Sequence, residues 1–156
     1  MPHFTVSATT QLDPTQVRDA LTDFGPHRPE LWPNLATEFY RLHRLGATDA
    51  EVTEGSRFLG GVWERLRYDW SSPNVVRLEV LEGNATRAGS YWEYRIEPLD
   101  SGSRVELELD RRGRGLRGVL LTILLSFFGK RVFASDLRHA FDRIAQAPQA
   151  TSRTAA

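Results

Sequence analysis

Three side chains suited to acid–base chemistry fall on the inward faces of two predicted strands. Glu64 is in phase with Leu66, Tyr68 and Trp70, because alternate residues of a strand share a face. Tyr94 takes the matching position in a later strand, between Trp92 and Ile96. A carboxylic acid among aromatic side chains can serve as a general acid, and a tyrosine can donate a hydrogen bond to a carbonyl group. Glu64, with Tyr68 or Tyr94, is therefore the candidate catalytic set.

Each of these residues also has a purely structural interpretation. Glu64 follows Gly60-Gly61 and would be solvated if its strand frays at that end. A tyrosine in a cavity wall more often packs there with its hydroxyl satisfied locally. His43 is a further candidate base, but its strand has two registers open. The inward set is either Tyr40, Leu42 and Arg44, or Phe39, Arg41, His43 and Leu45.

The composition argues against several other functional classes. The chain of 156 residues suits one domain and contains no cysteine, so thiolate nucleophiles, disulfides and cysteine metal sites are excluded. The four histidines, His3, His27, His43 and His139, have no ligand spacing. A phosphate-binding loop, a G-x-S-x-G motif and a dinucleotide-binding unit are also missing from the sequence. We therefore expect no metal and no cofactor.

The charge is balanced, with 20 Lys+Arg against 20 Asp+Glu. A balanced net charge provides no general attraction to nucleic acid. We therefore do not expect nucleic acid as a partner. The first twelve residues lack the basic start and the apolar core of a signal peptide. We expect a cytoplasmic protein.

The elements that must position these residues follow from apolar periodicity and turn signals. A strand begins at Phe4, and Asp13-Pro14 starts a short helix with a capping-box glutamine at Gln16. One more helical turn fits within residues 29–34, and an extended segment covers residues 37–45. A meander of antiparallel strands follows. Its inward residues are Leu66, Tyr68 and Trp70, then Val76, Leu78 and Val80, then Trp92, Tyr94 and Ile96, then Val105, Leu107 and Leu109.

A long helix is predicted from about Leu116 to Ala145, with Gly129 as a weak point. Its second half is amphipathic, whereas apolar residues cover nearly every direction of residues 116–128. Those thirteen residues fall short of the ~20 needed to cross a bilayer. They must contact the cavity or its ligand, a second subunit of a homodimer, or a membrane. Residues 147–156 are small and polar, and we expect a disordered tail.

The order of these elements resembles the START-like, Bet v 1-like (SRPBCC) superfamily, and within it the bacterial polyketide cyclase/dehydrase-type group. The resemblance extends from Phe4 to about Ala145. It rests on the order and spacing of individually unspecific motifs. These are Phe4-Thr5-Val6-Ser7 with Asp13-Pro14, Leu21-Thr22-Asp23 with Trp32-Pro33, Val52-Thr53-Glu54-Gly55-Ser56, and Gly89 to Leu99 followed by Gly102-Ser103-Arg104-Val105.

The resemblance implies an α+β helix-grip fold. In this fold a seven-stranded curved antiparallel sheet wraps around a long C-terminal helix, with two short helices after strand one and an apolar cavity inside. Residues 1–146 would form this START-like ligand-binding domain. Members bind lipids, polyketides, hormones or aromatic metabolites, and some catalyse cyclisation or dehydration, so the fold does not decide the function.

Binding or carriage of a small hydrophobic molecule is the leading hypothesis. The expected ligand-binding residues are Trp32, Leu66, Tyr68, Trp70, Leu78, Trp92, Tyr94, Leu107, Leu120, Ile123, Leu124 and Phe127. One alternative is a polyketide cyclase/dehydratase-type enzyme that uses Glu64 with Tyr68 or Tyr94. Another is a membrane-facing or protein–protein adaptor, since Arg111, Arg112, Arg114 and Arg117 directly precede the apolar run.

Overall fold

Seven strands form one antiparallel sheet in the order β1-β7-β6-β5-β4-β3-β2. The computed structural model describes residues 3–146. The elements in chain order are β1 (His3–Thr10), α1 (Pro14–Thr22), α2 (Arg28–Leu31), β2 (Arg41–Leu45), β3 (Asp49–Ser56), β4 (Val62–Asp69), β5 (Val75–Gly83), β6 (Tyr91–Pro98), β7 (Ser103–Asp110) and α3 (Gly115–Gln146). The predicted curved sheet around a C-terminal helix is confirmed. The predicted disordered tail, 147–156, lies outside the described residues.

The inner face of the sheet carries the apolar residues that alternation predicts. In β4, Val62, Glu64, Leu66 and Tyr68 are buried while Arg67 and Asp69 are exposed. The same alternation holds in β5 and β7. The core lies between this face, α1 and the second half of α3, and its fully buried members include Val17, Leu21, Val52, Val105, Leu107 and Phe141.

The outer face carries opposite charges as ion pairs. Arg77 of β5 contacts Glu93 of β6 at 2.8 Å and Arg104 of β7 contacts Glu97 of β6 at 2.9 Å, while Arg95 contacts Glu93 on its own strand at 2.7 Å. Exposed pairs of this kind contribute little to stability. These charged side chains keep the outer face hydrated, so a site for an apolar ligand is expected on the inner face.

Local signals explain how the chain enters α1. The Asp13 carboxylate accepts a hydrogen bond from the Gln16 backbone N–H, and the Gln16 side chain accepts one from the Asp13 N–H, both at 2.9 Å. The predicted capping box is therefore confirmed. Val17, Ala20 and Leu21 point into the core, as their helical spacing predicts.

The extended segment predicted for residues 37–45 is only partly correct. Thr37–Phe39 form a 3₁₀ turn, and β2 covers Arg41–Leu45 alone. The Tyr40 hydroxyl donates to the Phe24 carbonyl at 2.7 Å and ties this junction to the segment after α1. Every residue of β2 is exposed, and its pairing with β3 shifts between Leu42 and Arg44. Within β2 itself neither predicted register turns its side chains into the core, although Tyr40, which directly precedes the strand, packs against it.

The helix α3 runs without a break across Gly129, the position predicted as its weak point. A methyl group at this position would lie 3.1 Å from the Phe4 ring, so the glycine lets the helix approach β1 closely. The first turn of α3 also packs closely against a neighbouring segment. The Arg114 N–H donates to the Ala85 carbonyl at 2.8 Å, and the buried Gly118 lies against that carbonyl.

We predict that Gly118→Ala lowers the thermal stability of the domain. The added methyl carbon would lie 2.2 Å from the Ala85 carbonyl oxygen, which is backbone and cannot rotate away, so an overpacking cost of about 1–3 kcal/mol is expected. Thermal melts followed by circular dichroism measure this loss. Ser126→Ala, at an exposed position of the same helix, is the control and should melt near the wild-type temperature. Equal melting of the two variants would show that the start of α3 is not docked.

Candidate functional site

A cavity of about 580 Å³ lies between the inner face of the sheet and α3. The sheet contributes β3 to β7 through residues such as Val62, Leu66, Leu78 and Leu107. The helix closes it with Leu121, Leu124, Leu125, Phe128, Val132, Phe133 and Leu137. The alternation of each strand and the 3.6-residue period of the helix aim these side chains at the same space.

Most of the side chains predicted as walls do line this cavity. They are Trp32, Leu66, Tyr68, Leu78, Trp92, Tyr94, Leu107 and Leu124. Trp70, Leu120, Ile123 and Phe127 are not among the lining residues. Trp70 follows the last residue of β4 and packs against Phe24, with the ring centroids 6.0 Å apart.

Three of the four helical residues predicted as walls lie off the cavity, because the rotation of α3 about its axis cannot be predicted from its own sequence. Leu120, Ile123 and Phe127 are 46%, 48% and 78% exposed. The cavity instead receives the adjacent row, with Leu121, Leu125 and Phe128. An all-apolar segment has no polar face to indicate which side is buried.

A buried arginine, Arg28, holds one side of the cavity together. Its Nε donates to Glu54 Oε1 at 2.7 Å, and its Nη1 donates to the carbonyls of Leu21 and Asp23 at 3.1 and 2.8 Å. Its Nη2 donates to the Tyr68 hydroxyl at 3.1 Å, and that hydroxyl donates to Glu54 Oε2 at 2.8 Å. Arg28, Glu54 and Tyr68 therefore form a closed triangle of hydrogen bonds.

The charge of Arg28 is stabilised on every side. Burial alone would lower the pKa of its guanidinium, but the Glu54 carboxylate and the Tyr68 hydroxyl outweigh burial and raise that pKa. The rings of Phe24 and Trp32 lie 4.7 and 5.6 Å from the guanidinium carbon, within cation–π range. A buried charge persists only where its donors are satisfied in this way.

Glu64 is buried, so the interpretation of a solvated carboxylate at a frayed strand end is wrong. Arg111 Nη2 and the Thr86 hydroxyl both donate to Glu64 Oε1, and Arg111 Nε donates to Thr86 Oγ1 at 3.0 Å. Arg111 lines the cavity and lies 5.2 Å from the Trp92 ring centroid, whereas Glu64 is not among the lining residues. The structure therefore separates Glu64 from Tyr68 and Tyr94, the partners proposed for it.

The two glutamates are neighbours across the sheet, since Glu54 in β3 pairs directly with Glu64 in β4. Opposed residues have Cβ atoms about 4.5–5.5 Å apart, and like charges at that distance repel. Arg28 neutralises the first carboxylate and Arg111 the second. The inner face thus carries two arginine–carboxylate pairs side by side in an otherwise apolar wall.

The two tyrosines differ in how their hydroxyls are used. Burial, followed by the negative charge of Glu54, raises the pKa of both Tyr68 and Tyr94, so both stay protonated at neutral pH. Tyr68 uses its hydroxyl in the triangle with Arg28 and Glu54. Tyr94 lines the cavity without a side-chain partner for its hydroxyl among residues 3–146.

His43 lies away from this site. It is exposed on the edge strand β2, and its Nε2 contacts Thr53 Oγ1 at 2.7 Å. It does not line the cavity. In the described part of the chain no three His, Cys, Asp or Glu side chains cluster closely enough to hold a metal ion.

The cavity opens at side chains that line it and are also exposed. Phe58, in the 3₁₀ turn before β4, is 50% exposed, and Phe128 and Val132 of α3 are 61% and 46% exposed. Pro33 and Asn34 complete this rim, where the Asn34 amide donates to Asp136 of α3. The opening lies beside the exposed apolar residues of α3.

Sequence reasoning missed Arg28, Glu54 and Arg111. Glu54 could have been found, because it follows Ala50 and Val52 at two-residue spacing and both are buried. Arg111 carries the same signal, because it continues the buried row of Val105, Leu107 and Leu109 by two residues. Arg28 has no comparable pattern and reaches its partners through long-range packing.

The comparisons with known proteins agree with this architecture. Residues 1–147 match the family described as polyketide cyclase / dehydrase and lipid transport. The chain belongs to this family. No protein of curated function matches the sequence.

Solved structures share the fold of this family member at low sequence identity. The Zhui aromatase/cyclase from Streptomyces sp. R1128 has a TM-score of 0.78 at 17% identity, over 97% of this chain and 98% of its own. A protein from Thermus thermophilus has a TM-score of 0.76 at 17% identity, over 92% and 97%. A START superfamily protein from Mycobacterium smegmatis has a TM-score of 0.69 at 12% identity, over 94% and 100%.

We predict that Arg28→Met lowers the free energy of unfolding by about 3–5 kcal/mol, because it leaves the Glu54 carboxylate without its buried partner. Chemical denaturation measures the change. Arg67→Met, at an exposed position on the outer face of β4, is the matched control and should change stability by less than about 0.5 kcal/mol. Adding Glu54→Gln to Arg28→Met should recover part of the loss, since the buried charge disappears. Equal effects of the two arginine variants would contradict the buried triangle.

Proposed function

We propose that this protein binds or carries a small hydrophobic molecule, such as a lipid, a polyketide or an aromatic metabolite, in the cavity beneath α3. The observation that carries this proposal is the cavity itself, about 580 Å³ and lined mainly by leucine, valine, phenylalanine and tryptophan. Ligand sites typically measure about 300–1,000 Å³ and combine apolar walls with a few polar groups. The rim at Phe58, Phe128 and Val132 provides a route for entry.

The family description is compatible with two kinds of activity, since it covers both cyclase/dehydrase members and lipid transport. Zhui is an aromatase/cyclase. Such an enzyme would need a proton donor or acceptor free to reach its substrate.

A polyketide cyclase/dehydratase activity is the alternative for the same cavity. Glu64, proposed as its acid, accepts hydrogen bonds from Arg111 and Thr86 and lies outside the lining. The Tyr68 hydroxyl is used by Glu54 and Arg28. Only Tyr94 of the candidate catalytic set keeps a free hydroxyl towards the cavity, which favours binding over catalysis. Turnover of a polyketide-like substrate that is lost in Tyr94→Phe would decide for the enzyme.

We predict that an apolar fluorescent probe such as 1-anilinonaphthalene-8-sulfonate binds the protein and quenches its tryptophan emission. Trp92→Ala should weaken probe binding by about tenfold, since Trp92 is a large wall residue. Trp63→Ala is the control, because Trp63 is not among the lining residues and alternates onto the outer face of β4. Fluorescence titration of both variants measures the difference. Equal affinities for the two variants would exclude binding in this cavity.

A second property, contact with an anionic membrane surface, is favoured by the exposed side of α3. The membrane-facing surface proposed for this contact consists of Leu116, Val119, Leu120, Ile123 and Phe127. All five are large apolar residues, between 46% and 88% exposed. By length and composition α3 could cross a bilayer, and only 17% of its most apolar 18-residue stretch is buried. Its opposite side lines the cavity, which favours a helix lying in the membrane surface.

The charges around this surface fit anionic lipid rather than a neutral partner. Residues 111–135 contain five arginines and one lysine and no Asp or Glu. Lys130 and Arg131 are exposed and fall on either side of the Phe127 row at helical spacing. Such basic residues beside an apolar face add about 1 kcal/mol each at an anionic surface. The cavity opening lies next to this surface, so a docked protein could load its ligand directly from the bilayer.

We predict that the protein sediments with vesicles of phosphatidylglycerol and phosphatidylcholine, and much less with pure phosphatidylcholine. Phe127→Glu should reduce partitioning at least tenfold, since it removes a large apolar contact and adds a repelled charge. Leu45→Glu, at a 59% exposed position on β2, is the matched control and should bind like the wild type.

Gel filtration of the same variants tests the alternative that a second copy of the chain, rather than a membrane, covers this surface of α3. A dimer that Phe127→Glu converts to a monomer, together with absent vesicle binding, would show that a second copy covers this surface and would overturn membrane contact.

A further inference from the structure

Arg111 is a buried arginine of the cavity wall with most of its donors unused. Its Nε donates to Thr86 Oγ1 at 3.0 Å and its Nη2 donates to the Glu64 carboxylate, whereas Nη1 has no hydrogen-bond partner within residues 3–146. By contrast, all three nitrogens of Arg28 donate to partners in the described part of the chain. A guanidinium carries five N–H groups, so three of those of Arg111 remain for another molecule.

The free nitrogen of Arg111 borders open space rather than packed protein. Among the buried side chains of the described residues, Trp32 Nε1 is the nitrogen that is both unpartnered and shut off from any opening. Arg111 Nη1 is unpartnered but is not shut off in this way, although the residue is only 8% exposed. Arg111 is one of the residues that line the cavity. The cavity is therefore the space that its free N–H groups reach.

Three neighbours hold the guanidinium of Arg111 in place. Thr86 is fully buried, and its hydroxyl donates to the Glu64 carboxylate while it accepts from Arg111 Nε. The Trp92 ring centroid lies 5.2 Å from the guanidinium carbon, and Trp92 lines the same cavity. A ligand atom bound to Arg111 would therefore place the rest of the molecule beside the Trp92 indole.

The charges around Arg111 limit which ligand group it can bind. Its N–H groups can only donate, so the ligand group must be an acceptor. Glu64 already neutralises the guanidinium, and a ligand carboxylate would bring an unpaired charge into an apolar space. A hydroxyl group would bring a proton that also needs an acceptor, whereas a carbonyl oxygen only accepts. A carbonyl is therefore the group that best fits this donor.

We propose that Arg111 anchors the carbonyl oxygen of an otherwise apolar ligand, such as a ketone or an ester, with the adjoining carbon skeleton against Trp92. This inference rests on the proposed function, because it names the chemical class that the cavity prefers. Glu64 then has a different role from the acid predicted for it. Together with Thr86, it fixes the plane of the guanidinium and leaves Nη1 directed at the ligand.

The test compares three probes of nearly equal shape by isothermal titration calorimetry: 2-acetylnaphthalene, 2-isopropenylnaphthalene and 2-naphthoate. The alkene replaces the carbonyl oxygen of the ketone with a methylene group, and the naphthoate adds a negative charge. We expect the wild-type protein to bind the ketone about tenfold or more tightly than the alkene, which is the gain of a hydrogen bond to a charged donor. The ketone should also bind more tightly than the naphthoate, because Glu64 already balances the charge of Arg111.

A double variant assigns this preference to the subsite. Arg111→Met combined with Glu64→Gln removes both charges, so no unpaired carboxylate remains in the wall. It should bind the ketone and the alkene within about twofold of each other. Arg87→Met is the matched control, because Arg87 is exposed, follows Thr86 and does not line the cavity. It should keep the wild-type preference.

A single variant replaces the double variant if the latter does not fold. Arg111→Lys keeps a positive charge beside Glu64 but loses the planar fork that donates in two directions. The preference for the ketone should then fall several-fold, and a wild-type preference in this variant would overturn the subsite.

The outcomes separate this proposal from the function on which it rests. Equal affinity of the wild type for ketone and alkene, or a preference that survives in the double variant, would overturn the subsite and leave an apolar binding cavity. Tighter binding of 2-naphthoate than of the ketone would also overturn it. Failure of every probe to bind would overturn the proposed function as well. A preference for the ketone that is lost in the double variant and kept in Arg87→Met supports the subsite.

Discussion

The burial of the Arg28 guanidinium against Glu54 is the interaction on which the shape of the cavity depends. It joins the segment after α1 to the inner face of β3, and the Tyr68 hydroxyl and the carbonyls of Leu21 and Asp23 occupy its remaining donors. Desolvation of two charges costs several kcal/mol each, so the pair is tolerable only with this complete set of partners. Its directional hydrogen bonds hold the loop over the sheet in one position. A purely apolar contact there could collapse into the cavity.

The second pair, Glu64 with Arg111, repeats this arrangement on the next strand. Because Glu54 and Glu64 oppose each other, either carboxylate would repel the other if its arginine were lost. The polar content of the inner face is therefore largely committed to structure. What is left for a ligand is a small set of donor and hydroxyl groups in an apolar wall, a composition suited to orienting a molecule.

The helix α3 serves two environments along its length. Its second half completes the core through Leu137, Ala140 and Phe141, which are almost fully buried. Its first half covers the cavity with one side and leaves a large apolar side exposed beside several arginines. Exposed apolar surface of this extent normally marks an interaction site. Carriage of an apolar ligand and contact with an apolar phase are physically related, since transfer across water is the unfavourable step for such a molecule.

The fold class, the strand alternation and the capping of α1 follow from the amino-acid sequence alone. Each of these features depends on residues within a few positions of one another. Period-two alternation places Leu66, Tyr68 and Trp92 on the inner face, regardless of which strands pair with theirs. The chain order of elements was enough to indicate the family. The inward position of Glu64 was also predictable, although its environment was not. Which groups meet at the site depends instead on how distant segments pack together. Arg28 reaches Glu54 over 26 positions, and Arg111 reaches Glu64 over 47, so no local pattern could pair them.

The rotation of α3 was likewise undetermined, because a segment that is apolar on all sides has no polar side to orient it. Its packing against Phe4 and Ala85 turns Leu121 inward and Phe127 outward. Pairing and rotation depend on contacts between distant segments, which a local sequence pattern does not record.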